Sequence, residues 1–265
     1  MRKLLGPHPP SWRPSKQFSS THDIVWLFDM DNTLHDCSQG IFNVMHQRMT
    51  KTIMQMLDIG YDAANQLRTD YWRRYGASVI GMERHHNIDP HEFLTRSHAF
   101  DSHPLIRAEP GLARKFSLLE GRKILLTNAP LAYAREVLSF LGLLPHFESL
   151  WTITHMRLQQ RMQPKPSLAL MRQILARLKH PSHRIVLVED TLKNLKAAKQ
   201  VGMGTVYVHH PHTPFSAPDQ TSRLPSRATQ PLKPIPEQYQ RHKQQRLVMP
   251  SYVDVRVNKL NDLLL

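Results

Sequence analysis

Two aspartates one residue apart, Asp29 and Asp31 in Asp29-Met30-Asp31-Asn32-Thr33, follow directly on the apolar run Ile24-Val25-Trp26-Leu27-Phe28. Carboxylates at that spacing, just past a strand, can share a hard cation while one attacks an electrophile and the other handles a proton. Three further groups come later in chain order. Lys123-Ile124-Leu125-Leu126 runs into Thr127-Asn128-Ala129-Pro130, where a hydroxyl and an amide suit a phosphoryl oxygen. Lys165 lies in Gln163-Pro164-Lys165-Pro166, a cation between two prolines that limit the backbone and so its aim. Ile185-Val186-Leu187-Val188 discharges into Glu189-Asp190-Thr191. Each group has a plainer alternative open to it. Asp29 and Asp31 can belong to a solvated turn, Thr127 can cap a helix, Lys165 can be a solvated charge, and Glu189 and Asp190 can be first-turn acids favoured by a helix dipole. Their order, at the ends of successive candidate strands, argues for one site.

The elements that must position these groups are legible as changes of period. A continuous apolar run marks a buried parallel strand, and in open α/β folds ligands bind at the carboxyl edge of such strands. The expected strands are Ile24 to Phe28, Lys123 to Thr127, Ser149 to Thr154, Arg184 to Val188, Thr205 to Val208 and an edge strand at Val253 to Val257. Helices are expected between them, including Leu131 to Leu141, with Gly142 past its end, and Leu168 to Leu178. Alternating strands and helices predict a doubly wound α/β fold, with a parallel sheet covered on both faces.

Between Asp36 and about Pro104 the spacing turns helical. Ile41, Val44, Met45, Met49, Ile53, Met56 and Leu57 recur at three and four, predicting one amphipathic helix with Gly60 as its stop. Further helices are expected from about Tyr61 to Arg74, from Val79 to His85, and from a cap and first-turn proline at Asp89-Pro90. The Met and aromatic stripe reads as bundle core. The predicted organisation is therefore a basic N-terminal arm at 1–21, a core formed by 22–36 and 105–265, and an all-helical insertion at 37–104.

The net charge of +14 is concentrated. Residues 1–21 and 211–250 each contribute +4, and the latter stretch, rich in Pro, Ser, Gln and basic residues, reads as a flexible insertion. Such an excess favours anionic ligands and nonspecific contact with nucleic acid, which makes a nucleic-acid-associated protein a competing reading. Against it, the basic residues are dispersed with almost no interleaved aromatics, and no nucleic-acid module is recognisable. Nothing in the first 21 residues has the apolar centre of a signal peptide, and there is no run of eighteen apolar residues, so a soluble cytoplasmic protein without membrane contact is expected. Cys37 is the only cysteine, which excludes an internal disulfide and a cysteine metal cluster, and it reads as a small buried filler. His85 and His86 are adjacent on a helix, point apart and have no third ligand spaced to join them, so a zinc site there is not expected.

The set Asp-Met-Asp-Asn-Thr, Thr-Asn-Ala, Lys165-Pro166 and Val-Glu-Asp-Thr resembles the signature motifs of the haloacid dehalogenase-like hydrolase superfamily, in their usual order from about Asp23 to Tyr207. Phe28 to Asp36, with Tyr71 to Ala77, Arg84-His85-His86 and Val188 to Lys199, looks like the pyrimidine 5'-nucleotidase-type branch. The resemblance implies a Rossmann-like core with a helical C1-type cap, and a Mg²⁺-dependent phosphomonoesterase acting on a small phosphorylated metabolite, a nucleoside monophosphate first. It implies Asp29 as nucleophile and Asp31 as general acid and then base. Mg²⁺ would be held by Asp29, the main-chain carbonyl of Asp31 and Asp190, with Glu189 ligating directly or through water. Thr127 and the Asn128 N–H would hold phosphoryl oxygens, Lys165 would balance their charge, and Tyr71, Trp72, Arg74, Tyr75, Arg84, His85 and His86 would choose the leaving group. Dehalogenases lack the second acid, so Asp31 argues against that activity. Sugar-phosphate phosphatases and phosphomutases carry the same motifs and remain alternatives.

Overall fold

The structure, a computed structural model, describes residues 23–38, 40–159, 161–209 and 249–264. All four residues of β1 (Val25–Phe28) are buried, so both faces of this strand must be covered. It lies between β2 (Arg122–Leu126) and β6 (Ile185–Glu189), parallel to both, with Val25 opposite Arg122 on one side and Ile185 on the other. With β3 (Ser149–Trp151), β7 (Gly204–Val208) and β8 (Val255–Val257) they form a six-stranded parallel sheet in the order β3-β2-β1-β6-β7-β8. The order reverses between β1 and β6. A crevice opens at the carboxyl end of such a reversal, where ligands bind in doubly wound folds.

The two-residue period of the strands divides the core. Trp26 and Phe28 join Leu125, Val186 and Val188 on one face, against α5 (Leu112–Leu118) and α6 (Leu131–Phe140). Val25 and Leu27 join Ile124, Ile185 and Leu187 on the other, against α7 (Leu168–Leu178) and α8 (Leu192–Gln200). Phe28 meets Phe116 at a ring distance of 4.9 Å, and Trp26 donates its indole N–H to the Glu120 carbonyl at 2.9 Å. Truncating a buried aromatic of this kind costs about 3–5 kcal/mol, so the strand carrying Asp29 is held stiffly.

Four helices intervene between β1 and α5: α1 (Ile41–Leu57), α2 (Tyr61–Tyr75), α3 (Ser78–His86) and α4 (Pro90–Ser97). Ile53, Ala64, Val79, Ile80, Met82, Phe93 and Leu94 form their common core, with Met49, Met54, Met56, Tyr71 and Tyr75 packed against it. The core of this unit also takes in Ile153 and Met162 from the segment after β3, so it is seated on the sheet domain. As expected, Asp89 caps α4, accepting from the backbone N–H of His91 and Glu92, with Pro90 in the first turn.

Several boundaries differ from the sequence expectation. α1 is stopped by Asp58 in the left-handed conformation, φ 52°, while Gly60 has an ordinary φ of −68° and opens α2. The expected strand from Ser149 to Thr154 ends at Trp151, because Thr152 and His155 cap a 3-10 turn at Ile153–His155. A small antiparallel hairpin, β4 (Arg157–Leu158) with β5 (Arg161–Met162), comes next, and no apolar alternation announces it. The last strand begins at Val255 rather than Val253 and lies at the sheet edge. The expectations for the arms at 1–21 and 211–248 fall outside the described residues. Among the described residues, no helix is long and apolar enough to cross a membrane.

Candidate active site

β1, β2 and β6 end side by side, and each hands its last side chains to the same crevice. Asp29 continues the ladder beyond β1, its N–H bonded to the Val188 carbonyl at 3.0 Å. Thr127 lies just past β2 and Glu189 ends β6. Lys165 arrives from the loop before α7 and joins them: Nζ donates to Asp29 Oδ1 at 2.6 Å and to Glu189 Oε2 at 2.7 Å. It is only 2 % exposed, which rules out a solvated charge. Carboxylate oxygens of Asp29, Glu189 and Asp190 lie within 4.8 Å of one another.

Electrostatics are set by the count of charges. Three carboxylates, Asp29 and Glu189 buried and Asp190 partly so, face one ammonium, and burial together with the neighbouring Glu189 pushes the Asp29 carboxyl well above the usual range. Burial and the charges of Glu189 and Asp29 raise Asp190 likewise. Burial works to raise Glu189 also, but the charge of Lys165 together with hydrogen bonds from Asp190, Lys165 and Asn194 outweighs it and leaves that acid lowered. For Lys165 burial acts downward, and the two carboxylates override it and raise the ammonium. A hard divalent cation would balance the remaining negative charge, and the all-oxygen donor set suits one. Of these acids, Glu189 is already well satisfied: Oε2 also accepts from Asn194 at 2.9 Å, and Oε1 accepts from the Thr191 N–H at 3.1 Å.

Asp31 stands apart from this cluster. Its Oδ1 accepts from the Tyr133 hydroxyl at 3.1 Å, lies 3.1 Å from His35 Nε2 and accepts from the Cys37 thiol at 3.4 Å. Burial acts to raise it, but these contacts prevail and hold its carboxyl below the ordinary value. Burial, with Asp31 beside it, pushes the Cys37 thiol well up. Thus, without a cation, Asp29 is the acid held high and Asp31 the acid held low, the reverse of an ionised nucleophile beside a proton donor.

Asn128 does more than its backbone N–H suggested. Its side chain brackets Lys165, accepting from the Lys165 N–H and donating to the Lys165 carbonyl, both at 3.0 Å. The same amide lies 3.4 Å from the Gly76 carbonyl, which ties the helical unit to the crevice. Thr127 is buried and its hydroxyl accepts from the Ala129 N–H at 3.1 Å; α6 starts later, at Leu131, with Pro130 at its N-cap and no side-chain cap.

The aromatic and basic residues of α2 and α3 come together with one another. The Tyr75 hydroxyl lies 2.7 Å from His85 Nε2, the Tyr71 hydroxyl 2.7 Å from His86 Nε2, and Tyr71 stacks on His85 at 5.4 Å. Arg74 and Arg84 lie 5.3 and 5.2 Å from the centre of the Tyr75 ring, and Trp72 is half exposed. Sequence reasoning missed Tyr133, His35 and Asn194. His35 and Asn194 carried a signal, since each lies four or five positions past the acid it touches; Tyr133, 102 positions from Asp31, carried none.

A model of haloacid dehalogenase-like hydrolases matches residues 25–202. Among solved structures, a HAD phosphatase from Thermococcus onnurineus is 18 % identical, with 91 % of this chain and 95 % of that one covered and a TM-score of 0.51. CbbY from Rhodobacter sphaeroides, solved in complex with phosphate, is 19 % identical over 73 % and 90 % of the two chains, TM-score 0.49, and a dehalogenase is 16 % identical over 91 % and 95 %, TM-score 0.49. At this identity the Thermococcus structure speaks for the fold alone, while the family match spans the strands that bear Asp29, Thr127 and Glu189. The chain belongs to the haloacid dehalogenase-like hydrolases.

Proposed function

We propose that this protein is a Mg²⁺-dependent phosphomonoesterase working through an aspartyl-phosphate, with a pyrimidine nucleoside 5'-monophosphate as substrate. The observation that carries the reading is Lys165, buried and bonded to both Asp29 and Glu189, with Asp190 in the same cluster. Asp29, Asp190 and the main-chain carbonyl of Asp31 would hold the cation, which supplies charge for the phosphoryl oxygens and lowers the proton affinity of Asp29. Glu189, occupied by Lys165, Asn194 and the Thr191 N–H, serves chiefly to hold Lys165.

Asp29 attacks phosphorus, a carboxylate–phosphorus bond forms, and the ester oxygen leaves with its electron pair. With the negative charge of the bound phosphate ester raising its proton affinity, Asp31 delivers a proton to that oxygen and later takes one from the water that hydrolyses the acyl phosphate. Its three contacts all converge on Oδ1, which leaves Oδ2 to carry the proton. Thr127 and the Asn128 N–H bind the equatorial oxygens, and Lys165 neutralises their charge; positioning and electrostatics supply most of the catalysis in phosphoryl transfer. The helices α1–α4 act as a cap that excludes water. Their cluster of Tyr71, Tyr75, Arg84, His85 and His86 supports a planar leaving group, because partly exposed rings can stack on a base and the basic groups can hydrogen-bond its edge.

The test is phosphate release from a panel of nucleoside monophosphates and sugar phosphates, with Mg²⁺ and with EDTA. Release of phosphate from UMP or CMP that EDTA abolishes is expected. Preference for hexose phosphates would remove the nucleotide assignment and leave the mechanism; no release from any ester would end both. Removing residues 211–245 should leave turnover intact, whereas a nucleic-acid-binding protein would lose its affinity with that segment.

A further inference from the structure

Three groups meet Asp31 Oδ1, and they differ in where they come from. His35 and Cys37 lie four and six positions past Asp31 in the same loop, so they travel with it. Tyr133 comes from α6, 102 positions away, and its hydroxyl donates to the same oxygen at 3.1 Å. It is the third residue of that helix, and the short stretch leading into the helix carries Thr127 and Asn128. The donor to Asp31 and the groups assigned to the phosphoryl oxygens therefore stand on one continuous piece of chain. Tyr133 is also fixed in place. It is 3 % exposed, the rings of His98 and Phe100 lie 5.6 and 6.0 Å from its own, and Ala134, Val137 and Leu138 anchor the helix in the core. His98 is held in turn, with Nδ1 3.0 Å from the Leu94 carbonyl and 3.0 Å from the Ser97 hydroxyl. A phenol, with an ordinary pKa of about 10, keeps its proton at neutral pH, and burial beside Asp31 raises this one further. The hydroxyl is thus a constant donor.

A carboxyl gripped through one oxygen by a rigid element cannot turn freely about its own bond, so its other oxygen is aimed. We propose that Tyr133 is a positioning residue for proton transfer: by holding Asp31 Oδ1 it points Oδ2 at the ester oxygen of a phosphate bound by Thr127 and Asn128. This role rests on the phosphomonoesterase reading and names the group that aims its acid. As the bond from Asp29 to phosphorus forms and the ester bond breaks, the proton passes from Oδ2 to the departing oxygen, which keeps the electron pair of the broken bond. Misplacing a reacting group by about 1 Å costs on the order of 10²-fold. Only a leaving group that needs the proton feels that loss. An alkyl oxygen needs it, whereas a nitrophenolate departs as an anion unaided.

The experiment follows the first turnover of UMP and of p-nitrophenyl phosphate by rapid quench in saturating Mg²⁺, before hydrolysis of the acyl phosphate contributes. Tyr133→Phe removes the hydroxyl and keeps the ring against His98 and Phe100. Release of uridine should slow about tenfold to a hundredfold and release of nitrophenolate by less than about twofold, with the half-saturating concentration of each ester unchanged. A merely structural role for Tyr133 would slow both. Asp31→Asn should likewise slow uridine release and spare nitrophenolate, and adding Tyr133→Phe to it should cost nothing more, because the two residues act through one carboxyl. Equal slowing of both esters, slowing of neither, or a further loss in the double variant overturns the positioning role and leaves the phosphatase reading standing. A parent protein that releases product from neither ester ends the phosphatase reading and this role with it.

Discussion

The crevice at the end of β1 and the aromatic cluster on α2 and α3 are built from similar polar groups on opposite terms. In the crevice Lys165, Asp29 and Glu189 are almost wholly buried; Asp29 and Glu189 take their positions from β1 and β6, whose register is shared, and Lys165 from the loop before α7. On the helices, Tyr75 and His85 meet at an exposed contact, and the arginines lie over a ring rather than against a carboxylate. Burial in a low-dielectric place makes each charge costly unless paired, so the crevice admits one arrangement. The cluster on the helices is solvated, and its groups can exchange their present partners for a ligand at little cost. In the proposed function, bond-breaking falls to the rigid region and selection to the solvated one.

The strongest way to break that division is Asp29→Asn, which keeps the shape and removes the nucleophile. Turnover should fall by about 10⁴-fold or more, on the scale of losing a nucleophile elsewhere, with thermal unfolding little changed. Lys165→Ala should cost about 2.7–4 kcal/mol in kcat/KM, as for one oxyanion-stabilising donor. It should also lower stability by about 3–5 kcal/mol in EDTA, because two buried carboxylates lose their counter-charge. Mg²⁺ should restore part of that stability, which calorimetry with and without the ion will read.

The junction of the two regions offers a sharper probe. Gly76 ends α2 at φ +81°, and a Cβ there would come within 2.4 Å of the Lys165 carbonyl oxygen. Gly76→Ala should therefore cost about 1–2 kcal/mol in backbone strain alone, and the displaced lysine should lower kcat about tenfold with KM less affected. If kcat is unchanged, the helical unit and the crevice are not mechanically joined.

His98, just past α4, bridges the same regions through its ring contact with Tyr133, 5.6 Å away. Burial pushes its imidazole down to about 4, the Leu94 carbonyl offsetting only part of this. The unfolded chain, with an ordinary histidine near 6.5, takes up a proton across that interval and the folded one does not. Stability should thus fall as the pH drops from about 6.5 to about 4, by at most about 1.4 kcal/mol per pH unit, and His98→Gln should flatten the profile measured by urea unfolding. The smallest effect belongs to the solvated region. Arg84→Ala should raise KM for nucleotides by up to about fivefold, about 1 kcal/mol, and leave kcat and the KM for a small phosphate ester unchanged. A loss in kcat instead would place chemistry in the region assigned to selection.

Apolar runs told where β1, β2 and β6 lie, and three- and four-residue spacing told that α1 to α4 come between, because burial on two faces and burial on one stripe leave different periods in the chain. The acids and the hydroxyl at strand ends were readable for the same reason: a parallel strand must deliver the residues after it to one edge of the sheet. Short-range exceptions were less readable. Asp58 rather than Gly60 stops α1, and the end of β3 is set by a local hydrogen bond between Thr152 and His155. Neither has a repeating pattern to betray it.

The chain by itself therefore determined the set of reactive groups and their order, since residue type and strand adjacency are local properties. Only the tertiary structure decided their partners: Lys165 on Asp29 from 136 positions away, Tyr133 on Asp31 from 102, and Asn128 bracketing Lys165 from 37. It also decided proton affinity, because the high Asp29 and low Asp31 depend on which charges and donors are brought within a few ångströms of each in a buried place.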